Sequence, residues 1–226
     1  MEPRSAYGPV WNELSDTEDR AKLHVAGYVD EDRLLATAEA TRRDLEGTVG
    51  ITRDDEVLEI GCGVGRVGMV LAPLCKRWIG CDVSRNMLKY AAQRLGLYRN
   101  VILIEVSGFD LRPIEDASVD VVYCTVVFMH LDEWDRFNYV VEAYRVLRPG
   151  GRVFVDNFNL NSDEGWAVFE QSRAVPPAMR PAHLSKSSTP QEISTYLRRA
   201  GFRDIMVQED GTWVRGWGTK PSSSTP

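Results

Sequence analysis

The sequence predicts an α/β fold: a doubly wound, mostly parallel seven-stranded sheet with an antiparallel C-terminal hairpin and helices on both faces. From Glu56 onward, short apolar runs alternate with amphipathic helical stretches, the pattern of a parallel sheet covered on each side. The first run ends in a glycine-rich turn that opens a helix, and the last two are separated by Asp210-Gly211, a hairpin signal. With 226 residues, 43% hydrophobic and 27% charged, the chain has the size and balance for one sizeable core.

Ser15 to Glu18 has the spacing of a capping box, and Leu34, Leu35, Ala38 and Leu45 share one helical face, so two helices are expected before the first strand. Glu56 to Ile60 then reads as a strand, and a helix near Arg66 carries Val67, Val70, Leu71 and Leu74. Trp78 to Asp82 is the second strand; Ser84 caps a helix with Met87, Leu88, Ala91, Ala92 and Leu95 in one stripe. Strands over Val101–Val106 and Val119–Thr125 follow. Next comes a helix over Asp132–Leu147, with Trp134, Phe137, Val141 and Tyr144 expected inward. Pro149-Gly150-Gly151 is expected to break the chain before a strand at Arg152–Phe158. Asn161 to Ser188 is too long for an ordinary connection and reads as a lid or an insertion. Thr189-Pro190-Gln191-Glu192 places a cap, a proline at the first helical position and a capping-box glutamate in order, with Gly201 as the stop. Strands at Arg203–Glu209 and Thr212–Gly218 close the sheet. Residues 1–50 are expected to form a helical lid, residues 51–220 the α/β domain with a lid insertion at 160–188, and residues 221–226 a disordered tail.

The formal charge of −6 disfavours a nucleic-acid partner, whose phosphates need a basic face. No stretch has the apolar length of a membrane span, and Met1 to Val10 lacks the features of a secretory signal, so a cytoplasmic location is expected. Cys62, Cys75, Cys81 and Cys124 form no CxxC pair and read as small buried hydrophobes, with neither a metal site nor disulfides.

Gly61-Cys62-Gly63-Val64-Gly65 between a strand and a helix exposes backbone N–H groups and lets the chain approach a ligand. By itself it names no ligand. Glu59 precedes it, and Asp82 ends the next strand roughly 20 residues on, where a ribose-binding carboxylate belongs. The alternative for Asp82 is an acid stabilising a helix N-terminus. Asp156, Asn157 and Asn159 either line a pocket or satisfy the backbone of the long loop after them. His130 is a candidate proton acceptor near neutral pH or a structural gate residue; His24 and His183 lie in the two lid segments. Tyr7, Trp11 and Trp166 give the lid an apolar inner surface or a dimer contact.

Glu59-Ile60-Gly61-Cys62-Gly63-Val64-Gly65-Arg66, with Gly80-Cys81-Asp82-Val83-Ser84 and Met87-Leu88, resembles the first two motifs of class I S-adenosylmethionine-dependent methyltransferases. Asp116-Ala117-Ser118-Val119-Asp120-Val121-Val122 and Tyr144-Arg145-Val146-Leu147-Arg148-Pro149-Gly150-Gly151 extend the likeness to the small-molecule branch, with its Rossmann-like domain. The resemblance implies S-adenosyl-L-methionine as cofactor and S-adenosyl-L-homocysteine as product. The cofactor would be held by Glu59, Gly61, Cys62, Gly63, Arg66, Asp82, Val83, Met87, Ser107, Gly108, Phe109 and Thr125. It places Glu59 at the ammonium end, Asp82 on the ribose hydroxyls, and Val83 and Met87 against the adenine, with Phe109 either stacked there or plain core. Many relatives carry an acid after the third strand for the adenine amino group, whereas this chain reads Val106-Ser107-Gly108-Phe109-Asp110, leaving Ser107, a backbone carbonyl or Asp110 for that role.

The expected function is methyl transfer to a small-molecule acceptor, to oxygen ahead of nitrogen, by in-line displacement with alignment and water exclusion supplying most of the acceleration. Tyr123-Cys124-Thr125-Val126-Val127-Phe128 stands where amine-methylating relatives carry an Asn/Asp-Pro-Pro-aromatic segment. His130 is the candidate catalytic residue, and Tyr7, Trp11, Asn157 and Asn159 are candidates for the acceptor pocket. No metal, nucleic acid or membrane is expected, and the chain is taken as a monomer or homodimer. The rivals are a catalytically inactive cofactor-binding scaffold or sensor, and a nicotinamide oxidoreductase; Arg66 disfavours the latter, because it stands where the third glycine of a GxGxxG fingerprint belongs.

Overall fold

A computed structural model describes residues 7–222 of the chain. The expected disorder of the last residues falls, for 223–226, outside the described part. Three helices, rather than two, precede the sheet: α1 (Tyr7–Leu14), α2 (Glu18–Ala26) and α3 (Glu31–Thr48). Thr17, not Ser15, caps α2 by accepting from the Arg20 amide, because Ser15 is buried and turns back to donate to the Trp11 carbonyl at 2.6 Å. In α3 the buried stripe is Leu34, Ala38 and Leu45, with Leu35 on the solvent side.

The sheet contains β1 (Glu56–Ile60), β2 (Arg77–Asp82), β3 (Val101–Glu105), β4 (Val119–Cys124), β5 (Leu147–Asn159), a two-residue β6 (Ser187–Ser188), β7 (Arg203–Asp210) and β8 (Trp213–Thr219). Seven of them follow the order β3-β2-β1-β4-β5-β8-β7, and β6 pairs with β5 off this path. β1 to β5 pair in parallel, and β8 is antiparallel to both β5 and β7. The order runs outward in both directions from β1 and β4, so the switch point lies between their carboxyl ends, the usual place for a ligand crevice.

Short α4 (Gly68–Leu71) follows β1, α5 (Arg85–Leu95) follows β2, α6 (Glu133–Val146) follows β4, α7 (Asp163–Ala174) follows β5, and α8 (Pro190–Ala200) leads to β7. Alternation along each strand sorts the core into two faces. Leu58, Ile60, Val122 and Val155 pack towards α6 and α8; Val57, Trp78, Tyr123 and Phe154 pack towards α3 and α4.

Two sequence expectations need correction. The inward face of α6 is Tyr139, Val140, Ala143 and Val146, while Trp134 and Val141 are exposed. Phe137 and Tyr144 instead meet Tyr196 and Phe202 at the α8 side. Pro149-Gly150-Gly151 does not end an element: it bulges within β5, where pairing shifts from Val119↔Leu147 to Val121↔Arg152. Residues 160–188, read as a lid or an insertion, contain regular structure. They carry α7, capped by Ser162, which accepts from the Gly165 amide.

The N-terminal helices are tied to the sheet through α5. Asn12 of α1 accepts from Ser84 Oγ at 3.0 Å and from the Asn86 amide at 3.3 Å, at the start of α5. At its other end Arg94 reaches Glu31 through two contacts of 2.7 and 3.0 Å, and Lys22 of α2 meets the same carboxylate.

Candidate active site

A cleft whose empty space, open solvent included, is about 780 Å³ lies at the carboxyl edge beside the switch point. Its floor is the turn after β1. Gly61 and Gly63 have φ of 72° and 52°, a region that glycine enters without strain. A Cβ on Gly61 would overlap the Val127 side chain, and one on Gly63 would lie 2.7 Å from Val25, so this cradle requires both glycines.

Two buried carboxyl groups flank the turn. Asp82 accepts from the Gly63 amide at 2.9 Å and from the Ser84 amide at 2.9 Å, and thereby fixes the turn from the end of β2. Burial pushes its pKa up to about 6 against the lowering effect of these N–H groups. Glu59 lies opposite Tyr123 in the β1–β4 register and accepts its hydroxyl at 2.6 Å; Trp78 Nε1 in turn donates to Tyr123 Oη at 3.0 Å. Burial raises Glu59 to about 8, offset by Tyr123 and Arg66. Tyr123 and Trp78 are thus site-supporting residues that the sequence reading placed only in a strand.

Cys62, Arg66, Val83, Met87, Gly108 and Thr125 also line this cavity, as do Tyr7, Trp11 and His130. Thr125 Oγ1 is buried without a hydrogen-bond partner among the described residues. A buried hydroxyl in that state in a cavity wall fits a site built to receive a polar ligand. The following Val126 has φ of 62°, an outlier for a β-branched residue, and its amide donates to Asp156 Oδ1 at 2.7 Å. Asp156, fully enclosed at the end of β5, is raised to about 7 by burial.

His130, in the turn before α6, is enclosed between Trp11 and His183. The Trp11 ring meets it edge-on at 4.8 Å, and its Nδ1 lies 2.9 Å from the His183 carbonyl oxygen. A carbonyl only accepts, so Nδ1 carries the proton and Nε2 holds the free lone pair. Burial lowers the ring to about 4, keeping it neutral at physiological pH. His24, in the cavity wall, and His183, outside it, have ring centroids 6.1 Å apart and are both lowered by burial.

Ser107, Phe109 and Asp110 after β3, Asp156, Asn157 and Asn159 of β5, and Trp166 lie outside the cavity lining. Ser107 is exposed and donates to Asp110 Oδ1 at 2.8 Å; Asp110 also pairs with Arg112, and only Val106 and Gly108 of this segment line the cavity. Phe109 is half-buried, and its carbonyl accepts from Asn138. Asn157 donates to Ser188 Oγ at 2.7 Å and Asn159 to Glu209 Oε2 at 2.9 Å, so both tie β5 to its neighbouring chain segments. Trp166 is exposed and packs on Phe169. Among the described residues no cluster suited to a metal ion is present, and no helix is long and apolar enough to cross a membrane.

A family model described as a methyltransferase domain matches residues 58–155. The chain is 34% identical over 147 residues to a probable S-adenosylmethionine-dependent methyltransferase of Mycolicibacterium smegmatis, covering 65% of this chain and 51% of that protein. It therefore spans about half the length of such mycobacterial relatives, one from Mycobacterium tuberculosis included. It is 32% identical to 27-O-demethylrifamycin SV methyltransferase of Amycolatopsis mediterranei, covering 88% of this chain and 72% of that protein. The fold is shared with a Thermotoga maritima structure described as an S-adenosylmethionine-dependent methyltransferase, possible histamine N-methyltransferase: TM-score 0.68, 20% identity, 94% of this chain and 98% of that one. By the likeness to the Amycolatopsis enzyme over most of both chains, joined to this strand order and glycine cradle, the chain belongs to the class I S-adenosylmethionine-dependent methyltransferase family.

Proposed function

We propose that the chain transfers a methyl group to an acidic hydroxyl of a small molecule. The observation that carries this reading is the convergence of the Gly61–Gly63 turn, two enclosed carboxyl groups and the unpartnered Thr125 hydroxyl on one cavity, with a neutral histidine at its rim. S-adenosylmethionine, when bound, supplies an electrophilic methyl group on a sulfonium.

In this reading Glu59 takes the ammonium end, Asp82 the ribose hydroxyls, and Val83 and Met87 the base; all four line the cavity, which supports it. Tyr123 holds Glu59 in position. Trp11, Tyr7 and the α2 residue Val25 cover the cavity and exclude water. His130 Nε2 is the acceptor for the hydroxyl proton. A base with so low a pKa matches a hydroxyl that is itself acidic, a phenol or enol, better than an aliphatic alcohol. Oxygen transfer also agrees with two relatives named as O-methyltransferases, those of Amycolatopsis mediterranei and Aspergillus sclerotiorum.

Incubation with methyl-labelled S-adenosylmethionine and parallel panels of phenols, alcohols and amines tests the reading. Label in the phenols is expected. Tight cofactor binding with no transfer to any panel would favour the inactive scaffold instead.

A further inference from the structure

A second cavity adjoins the first and shares Tyr7 as a wall. Its empty volume is about 1540 Å³, partly open to solvent, and it lies between the start of α1, the end of β5, α7 and the segment 180–187. Tyr7 is held at the boundary between them: its hydroxyl donates to Asp135 Oδ2 at 2.7 Å and accepts from the Asp132 amide at 3.3 Å. The segment 180–187 also connects the two chambers. Ala182 and Leu184 line the second, while the intervening His183 carbonyl holds His130 of the first, and the Lys186 amide donates to the Met129 carbonyl at 2.8 Å.

Val10, Leu160, Phe169 and Leu184 give the lining an apolar side, and the rest carries Asp132, three serines and three cations. Two of these are matched: Arg173 pairs with Glu170 at 2.6 Å and Lys186 with Asp132 at 3.1 Å. Arg180 has no carboxylate partner among the described residues. Its Nε and one terminal nitrogen donate to the Val175 and Arg173 carbonyls at 3.0 and 3.1 Å, which anchors the guanidinium over the end of α7. Those bonds use two of the five donors of a guanidinium, so most of the fork remains for a ligand. In a chain of formal charge −6, an exposed cation tethered to the α7 carbonyls, with spare donors beside a part-apolar cavity, favours an anion.

We propose that this second cavity receives the methyl acceptor, and that the acceptor is a flat apolar molecule bearing an anionic group which Arg180 binds. The assignment as acceptor chamber rests on the methyltransferase reading above; the anion-binding chamber itself does not.

The probes are 8-anilinonaphthalene-1-sulfonate and its uncharged counterpart N-phenyl-1-naphthylamine, titrated by fluorescence into the full chain with and without saturating S-adenosylhomocysteine. The sulfonate is expected to bind at one site, with S-adenosylhomocysteine bound alongside it. Arg180→Gln should weaken the sulfonate by about fivefold or more, as loss of a charge-assisted hydrogen bond implies, and leave the uncharged probe within about twofold. Arg180→Lys should restore most of the sulfonate affinity, and Ala182→Trp should weaken both probes; S-adenosylhomocysteine affinity should hold in all three variants. The proposal fails if the sulfonate does not bind, if Arg180→Gln affects both probes alike or neither, or if S-adenosylhomocysteine displaces the sulfonate. Sulfonate binding without any S-adenosylhomocysteine binding would sink the methyltransferase reading and the acceptor role while sparing the chamber.

Discussion

At the scale of single residues, the site depends on carboxyl groups whose ionisation a ligand must restore. Asp82 holds the glycine turn through the Gly63 amide and is proposed to take the ribose hydroxyls, so Asp82→Ala should weaken S-adenosylhomocysteine by about 1.5 to 3 kcal/mol in calorimetry. Unchanged affinity would remove the ribose role. Glu59, raised to about 8, is protonated in the free protein at neutral pH and must ionise to face an ammonium group. Binding should therefore release a proton, and affinity should rise with pH up to about 8, where Glu59 of the free protein is itself ionised. Calorimetry at pH 7 in buffers of different ionisation heat measures that proton; Glu59→Gln should abolish it, and a buffer-independent heat in the unmodified protein would contradict the assignment. His130→Ala should lower turnover far more than cofactor affinity, and equal turnover would return His130 to a structural role.

At the scale of elements, the segment after β4 carries the strain. Val126 at φ 62° costs on the order of 1 to 3 kcal/mol, and its amide is held by Asp156 from β5. Asn accepts the left-handed region more readily than a β-branched residue, so Val126→Asn should raise stability to urea by about 1 kcal/mol. A loss of stability would show that the Val126 side chain contributes more than its backbone conformation costs. Nothing in Thr125-Val126-Val127 signals this conformation, because valine is among the residues least suited to it. The βα units, the Ser84 and Thr189 caps and the Asp210-Gly211 hairpin were legible, since each rests on local chemistry that the structure retains. The inward face of α6 was not: its apolar residues encircle the helix, and only the position of α8 decides that Phe137 and Tyr144 turn sideways. Helix α7 was hidden by the Pro-rich stretch after it, although Ser162 caps it and Asp163 and Glu164 occupy its first turn. Of the site, Glu59, the glycines and Asp82 could be read from spacing, whereas Tyr123 became visible only through its register with Glu59. Ser107 and Asn157 were polar for reasons of local bonding.

At the scale of the whole molecule, the site's buried charges make the free protein's stability fall with rising pH over a defined window. Glu59, Asp156 and Asp82 have folded pKa values of about 8, 7 and 6, all above the ordinary carboxyl range. Between the unfolded and the folded pKa of such a group the native state binds the proton that the unfolded chain has lost. Stability therefore declines as pH rises, by up to about 1.4 kcal/mol per pH unit for each group. His130 works in the opposite sense at lower pH: lowered to about 4, it withholds a proton that the unfolded chain takes up below about 6.5. The window from pH 6.5 to 8 thus belongs to the carboxyl groups, Glu59 above all, and the melting temperature of the free protein should drop across it. S-adenosylhomocysteine at saturation should flatten that slope, since its ammonium stabilises the ionised Glu59. Glu59→Gln should flatten it without ligand. Thermal melts of the two proteins at pH 6.5, 7.2 and 8.0, with and without ligand, measure all four slopes. A free-protein melting temperature that rises with pH across this range would mean that the carboxyl groups under the glycine turn are ionised before any ligand arrives, and the proton release expected at Glu59 would disappear with them.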